Sequence, residues 1–204
     1  MTGTSVFIID DQASVRHALG EMLGVFGYRI ETFESAESFL SAVTPEKTGC
    51  VVSDVRMDGM DGIELVHEMR RRHLSMPVVV ISGHADVPMA VAAIKAGAED
   101  FIEKPVDDRQ LVAAINRGLA RLHEQQHQHD AVKDLRERFD RLTPRESEVL
   151  LDVVKGHTSH SVAARLGISV RTVEGYRVQI MEKMRAESVA SLVRQAIRLQ
   201  LINP

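Results

Sequence analysis

Five short apolar runs alternate with helical patterns in the first 120 residues, and this alternation constrains the fold more than any other feature. The runs are SVFIIDD, YRIETF, GCVVSD, MPVVVISG and DFIEKP. Each is followed by a segment whose apolar residues recur at helical spacing. Parallel strands need crossover connections, usually helices, so the alternation predicts one parallel sheet covered by helices. We therefore expect an α/β domain of the doubly wound (βα)5 type.

Polar side chains stand at the ends of four of these predicted strands. Asp10 and Asp11 end the first strand, Asp54 the third, Ser82 the fourth and Lys104 the fifth. In open parallel sheets the functional site lies beyond the carboxyl ends of the strands. These side chains are therefore predicted to meet at one edge of the sheet.

Such a set of side chains suits phosphoryl transfer. Three converging carboxylates would repel one another, and a hard divalent cation such as Mg²⁺ resolves the repulsion. The ammonium of Lys104 and the hydroxyl of Ser82 can each bond a phosphoryl oxygen. Positioning and charge neutralisation supply most of the catalysis in phosphoryl transfer.

This ordered set, with Gly62 after MDGMD and with Lys104–Pro105, resembles the response-regulator receiver domain of two-component signalling over roughly residues 4–122. The resemblance implies that Asp54 is the phosphoacceptor and that Lys104 and Ser82 contact its phosphoryl group. It also implies the oxygen donors to Mg²⁺: Asp10, Asp11, Asp54 and the backbone carbonyl of Arg56.

The loop after Asp54 carries two glycines, Gly59 and Gly62, which relieve the backbone where it must wrap a metal. Taken alone, Asp54 is better explained as a cap of the following turn. Combined with the other strand-end residues, the phosphoacceptor interpretation is preferred.

The fifth strand carries the residues of a predicted switch. In the receiver family the bond before the residue matching Pro105 is cis, and Phe101 matches an aromatic residue that turns inward on activation. From the residues alone, Phe101 is equally well explained as a core aromatic of a strand. Phosphorylation adds charge and acceptor oxygens, so Ser82 and Lys104 would approach Asp54 in only one of two loop arrangements.

The second part of the chain is predicted to be entirely helical. Residues 123–141 are interpreted as a helical connector; its histidines (His123, His127, His129) are better explained as a solvated polar face than as metal ligands. Thr143, Pro144 and Glu146 form a capping-box start for the next helix. Gly167 and Ser169 then separate two helices, as in a helix-turn-helix.

On the second of those helices, Val173, Ile180 and Met184 share a face that is predicted to pack inward. The motifs LTPRESEVL, GISVRTVE and MEKM resemble the LuxR/FixJ/NarL class of helix-turn-helix domains. Ser159, His160 and Tyr176 depart from the usual pattern of that class. The resemblance and the outward positions predict these DNA contacts: Arg171, Thr172, Glu174, Gly175, Tyr176, Arg177, Val178, Gln179 and Lys183.

Charge differs between the two parts of the chain. Residues 1–120 carry 11 Lys/Arg and 18 Asp/Glu, a net charge of −7, while residues 121–204 carry 14 and 11, a net charge of +3. An acidic and a mildly basic part predict two modules with different partners. No apolar stretch is long enough to span a membrane, and the single cysteine, Cys50, fits a reducing cytoplasm.

Together these features predict a receiver domain (1–122), a helical linker (123–141) and a LuxR-type domain (142–204). We expect a cytoplasmic response regulator that a sensor histidine kinase phosphorylates with Mg²⁺ bound, that dimerises when phosphorylated and that binds promoter DNA. We do not expect an enzyme in the turnover sense. The alternatives are an aspartyl-phosphate phosphotransferase, disfavoured because Arg56 replaces a second acid, and an adaptor whose helical domain binds protein.

Overall fold

The computed structural model describes residues 4–45, 47–84 and 86–203. The chain divides into two compact units, Met1–Gln125 and Gln126–Pro204. The first unit contains five parallel strands in the spatial order β2-β1-β3-β4-β5. Their bounds are Ser5–Ile9 (β1), Arg29–Phe33 (β2), Cys50–Asp54 (β3), Val78–Ser82 (β4) and Asp100–Glu103 (β5). The predicted (βα)5 sheet is confirmed.

Burial explains why the central strands are continuous apolar runs. Every residue of β3 and of β4 is buried, because helices cover both faces of the sheet. One apolar cluster lies on the face that includes Phe7 and Phe39, and another lies on the face that includes Ile8 and Ile115. The helices of this unit are α1 (Ala13–Val25), α2 (Ala36–Ala42), α3 (Gly62–Arg71), α4 (Val87–Ala96) and the first part of α5 (Asp108–Asp140), which continues past Gln125.

Capping residues mark the helix boundaries in the first unit. The side chain of Ser35 caps α2, and that of Asp86 caps α4. Gly97 ends α4 in the left-handed conformation, with φ of 106°. The predicted helical connector is part of α5, which extends as far as Asp140.

The second unit consists of four further helices. They are α6 (Pro144–Val154), α7 (Ser159–Leu166), α8 (Val170–Lys183) and α9 (Val189–Arg198). The capping box of Thr143 and Glu146 is present, and Ser169 caps α8. Val173, Ile180 and Met184 are at most 1% exposed, as their spacing predicts. In the part of the chain described, no helix is both long and apolar enough to cross a bilayer.

Candidate functional sites

Three strand ends bring two acids and a lysine together at one edge of the sheet. Lys104 Nζ lies 3.0 Å from Asp10 Oδ2 and 2.7 Å from Asp54 Oδ1. The side chains of Asp10 and Asp54 are 1% and 9% exposed, and that of Lys104 is 23% exposed. We call these three residues the acid–lysine cluster. It forms because β1, β3 and β5 are parallel and end at the same edge.

The carboxylate of Asp54, the phosphoacceptor candidate, has few hydrogen-bond partners. Asp54 Oδ2 accepts a hydrogen bond from the backbone N–H of Arg56 at 2.9 Å. Asp54 Oδ1 is buried and is held by the ion pair with Lys104 Nζ at 2.7 Å. Burial raises the pKa of the Asp54 carboxyl, and the repulsion from Asp10 adds to this, while Lys104 and Arg56 offset it in part.

For Lys104, contacts with the two acids outweigh the effect of burial. Burial by itself would lower the pKa of Lys104, but the contacts with Asp54 and Asp10 outweigh burial and raise it. Lys104 therefore carries its charge at neutral pH. A cation fixed beside a buried carboxylate is suited to neutralising a phosphoryl group on that carboxylate.

Asp10 is held rigidly, whereas Asp11 is not part of the cluster. Asp10 Oδ1 accepts from the backbone N–H of Gln12 at 2.8 Å, and its carbonyl accepts from Arg16 at 2.6 Å. Asp11 is exposed. Within residues 4–45, 47–84 and 86–203, no three His, Cys, Asp or Glu side chains lie together as a ready metal site. The carboxylate and carbonyl oxygens at this edge are nevertheless the kind of ligand that Mg²⁺ prefers, and Asp54 Oδ1 can still coordinate a cation.

The loop after Asp54 packs tightly against β3. A Cβ atom at Gly62 would lie 2.2 Å from the carbonyl oxygen of Asp54, so only glycine fits there. Gly59 has φ of 81°. Sequence reasoning missed Glu37, whose carboxylate accepts from the backbone N–H of Met60 at 2.8 Å and ties this loop to α2. No motif marked it, because the contact joins residues 23 positions apart.

Of the predicted switch residues, Lys104 contacts Asp54, and the hydroxyl of Ser82 bonds elsewhere. Ser82 is 1% exposed, and its hydroxyl donates to the carbonyl of His84 at 3.1 Å. Phe101 is partly buried against the cluster that contains Phe7. The Lys104–Pro105 bond is cis, as the resemblance implied.

The predicted DNA-contacting surface is largely exposed on α8. Arg171, Thr172, Glu174, Gly175, Val178 and Gln179 are exposed, and Tyr176 and Arg177 are partly buried. Lys183 is different, because its ammonium lies 2.7 Å from both carboxylate oxygens of Glu146. We therefore assign Lys183 a structural role within the second unit. Sequence reasoning gave Glu146 only its cap role and missed this pair.

Comparison with known proteins agrees with both units. The family described as "Response regulator receiver domain" matches residues 6–116, and "Bacterial regulatory proteins, luxR family" matches residues 140–196. The chain therefore belongs to the two-component response regulators that join a receiver domain to a LuxR-type DNA-binding domain.

Relatives of the same organisation cover nearly the whole chain. The transcriptional regulatory protein FixJ of Azorhizobium caulinodans is 45% identical, over 94% of this chain and 91% of its own length. FixJ of Rhizobium meliloti is 43% identical over 97% of each chain. The structure of the response regulator StyR matches with a TM-score of 0.85 and 39% identity, covering 95% of this chain and 98% of StyR.

Proposed function

We propose that Asp54 accepts a phosphoryl group from a sensor histidine kinase and that the modified protein binds promoter DNA as a homodimer. The observation that carries this proposal is the acid–lysine cluster, in which the buried carboxylate of Asp54 lies 2.7 Å from the ammonium of Lys104. In the transfer, the P–N bond of a phosphohistidine breaks as a P–O bond to Asp54 forms. The kinase histidine keeps the electron pair of the broken bond.

Each neighbouring group has a defined part in this reaction. Lys104 neutralises the added charge, and Ser82 gives up its bond to His84 and donates to a phosphoryl oxygen. Asp10, Asp11, Asp54 and the carbonyl of Arg56 would hold Mg²⁺, and the bound ion would neutralise charge between the acids and the phosphoryl group.

Beside Lys104, Pro105 completes the predicted switch, and Phe101 repacks when Ser82 moves. Shifting such a two-state element from 1:99 to 99:1 requires about 5.5 kcal/mol, and dimerisation can supply part of it.

We further propose a domain division into residues 1–122, 123–141 and 142–204. In the last of these, α8 enters the major groove of DNA, and its exposed residues contact bases and phosphates. Since promoter DNA is the proposed target, we place the protein in the cytoplasm. Its chemistry is limited to its own phosphorylation and dephosphorylation.

Labelling by a phosphodonor tests the phosphoacceptor. The full chain with Mg²⁺ and labelled acetyl phosphate is expected to gain an acid-labile label that Asp54→Asn does not gain. Asp58→Asn, which changes an exposed acid on the same loop, is the matched control and is expected to label normally. Persistent labelling of Asp54→Asn would refute the assignment.

Salt dependence tests the DNA interface. Binding of the beryllofluoride-treated protein to promoter DNA is expected to weaken steeply as salt rises, because phosphate contacts displace counterions. Arg171→Ala is expected to weaken binding, whereas Lys155→Ala, an exposed lysine at the end of α6, is expected to change it little. Equal effects of the two variants would contradict the proposed role of α8.

A further inference from the structure

The exposed face of α8 carries an acid and an aliphatic side chain at its centre. The side chain of Glu174 is 57% exposed, and Val178 is 67% exposed. An acid on a surface that approaches polyanionic DNA costs affinity. Val178 lines a pocket with Val153, Met181 and Leu192, yet most of its surface stays exposed. Both side chains are therefore available to a partner that approaches this face of α8.

Glu174 is held in place by neighbours on both sides. The hydroxyl of Ser159, at the start of α7, donates to Glu174 Oε1. Arg177 Nε lies 3.8 Å from Glu174 Oε2. A carboxylate has about four acceptor positions, so these contacts leave some of them free. Ser159 thus orients the carboxylate without exhausting it.

Gly175 leaves room beside Glu174 on the same surface. A Cβ atom built at Gly175 meets no other atom within 4 Å, so packing does not require glycine there. Its absence of a side chain lets the helix backbone come close to the base edges. Glu174 and Val178 are four residues apart, which places them on one face and about 6 Å apart along the helix.

The chemistry of base edges selects the partners of these two side chains. An ionised carboxylate only accepts hydrogen bonds, so it needs an amino group. In the major groove, cytosine offers N4–H₂, whereas adenine offers N6–H₂ beside the acceptor N7, which repels a carboxylate. An aliphatic side chain gains most from the 5-methyl group of thymine.

We propose that Glu174 accepts a hydrogen bond from N4 of a cytosine and that Val178 packs against the methyl group of a nearby thymine. Ser159 is a positioning residue for Glu174. This inference rests on the proposed DNA-contacting surface of α8 and specifies the sequence class that the surface selects. With base pairs spaced 3.4 Å apart along a strand, the two bases lie about one or two steps from each other.

Selection from a random duplex library is the first test. The full chain, with beryllofluoride and Mg²⁺, is expected to enrich sites in which a cytosine and a thymine occur at that separation. In a selected site, changing that cytosine is expected to reduce affinity about 5- to 100-fold. Replacing that thymine by uracil, which removes only the methyl group, is expected to reduce affinity about fourfold.

Three variants link each preference to its residue. Glu174→Gln is expected to lose the cytosine preference and to keep the thymine-over-uracil ratio. Val178→Ala is expected to do the reverse. Ser159→Ala is expected to weaken cytosine discrimination severalfold without changing the thymine-over-uracil ratio, which a general loss of structure would not do.

The outcomes separate failure of this inference from failure of the proposed function. If the protein binds DNA and Arg171→Ala weakens binding, but Glu174→Gln and Val178→Ala select the same sites as the wild type, this inference is wrong and the proposed interface stands. If no duplex is bound at low salt with the phosphoryl mimic present, the proposed function itself fails. An enriched adenine at the position lost in Glu174→Gln also overturns the cytosine assignment.

Discussion

Each unit of the protein buries a carboxylate beside a lysine, and the two pairs differ in how fully the acid is satisfied. Glu146 accepts from the backbone N–H of Thr143 at 2.7 Å, from its hydroxyl at 3.0 Å, and from Lys183 with both oxygens. Asp54 has fewer partners: Arg56 donates its backbone N–H to one oxygen, and Lys104 forms an ion pair with the other.

The pKa directions follow from this difference. Burial alone would raise the pKa of Glu146, but Lys183 and Thr143 outweigh it and lower the pKa. Burial raises the pKa of Asp54, and its partners do not fully compensate. A satisfied buried acid stabilises the fold, whereas an incompletely satisfied one retains the capacity to bind a new group.

The largest expected effect is on the satisfied pair. Glu146→Ala removes the reciprocal cap of α6 and leaves Lys183 without its partner, so it is expected to destabilise the second unit by about 3 kcal/mol. Glu148→Ala, which changes a half-exposed acid of the same helix, is the control and is expected to cost less than about 0.5 kcal/mol. Hydrogen exchange of the backbone amides in α6 and α8 measures the stability change of each variant. Equal losses of stability in the two variants would show that the contacts of Glu146 contribute no more than an exposed acid.

Mg²⁺ is expected to distinguish the two units, because only the first has an acid with fewer partners. Mg²⁺ at about ten times its dissociation constant is expected to stabilise the receiver by about 1.4 kcal/mol, because it binds only the folded cluster. The second unit is expected not to respond, since the acceptor positions of Glu146 are already used. Hydrogen exchange in β1 and β3, with and without Mg²⁺, checks this. Stabilisation of both units alike would indicate a nonspecific salt effect.

Neutralising Asp54 is expected to stabilise its unit. Asp54→Asn keeps the shape of the side chain and removes a charge whose burial and repulsion by Asp10 are incompletely offset. Without Mg²⁺ at neutral pH, the free energy of unfolding of the receiver is expected to rise. Hydrogen exchange of the receiver amides measures this change in the free energy of unfolding. A loss of stability would show that the ion pair with Lys104 outweighs the burial of Asp54.

The smallest effect is on pH dependence in the second unit. The folded-state pKa of Glu146 lies below its ordinary value of 4.5. Its stabilisation is therefore fully present above pH about 4.5 and is lost as the pH falls through the folded-state pKa. The stability difference between the wild type and Glu146→Gln is expected to shrink in that acidic range. A difference that stays constant down to pH 3 would mean that the charge of Glu146 contributes little.

Sequence patterns predicted most of the elements because each pattern reports local physics. Continuous apolar runs such as VVSD and VVVIS predict strands buried on both faces, and Thr143 with Glu146 predicts a helix start from capping chemistry alone. The sequence also predicted that Asp10, Asp11, Asp54, Ser82 and Lys104 would gather, because parallel strands share one carboxyl edge. Asp10, Asp54 and Lys104 do meet, whereas Asp11 is exposed.

Contacts between distant residues were not predictable in the same way. Lys183, a predicted DNA contact, pairs with Glu146, 37 residues earlier in the chain, and no motif marked that pair. Glu37 holds the loop after Asp54, and Ser159 holds Glu174, with no motif to mark either contact. A long polar side chain can reach several partners, and its partner depends on how whole helices pack.

By itself, the amino-acid sequence determined the two kinds of unit, the order of the strands along the chain and the residue types that gather at the sheet edge. Those properties follow from periodicity, capping and backbone conformation, which act over a few residues. Only the tertiary structure decided which buried acid has all its acceptor positions filled and which has fewer partners. Hydrogen bonding of a buried group depends on the positions of atoms from several elements, and packing alone sets those positions.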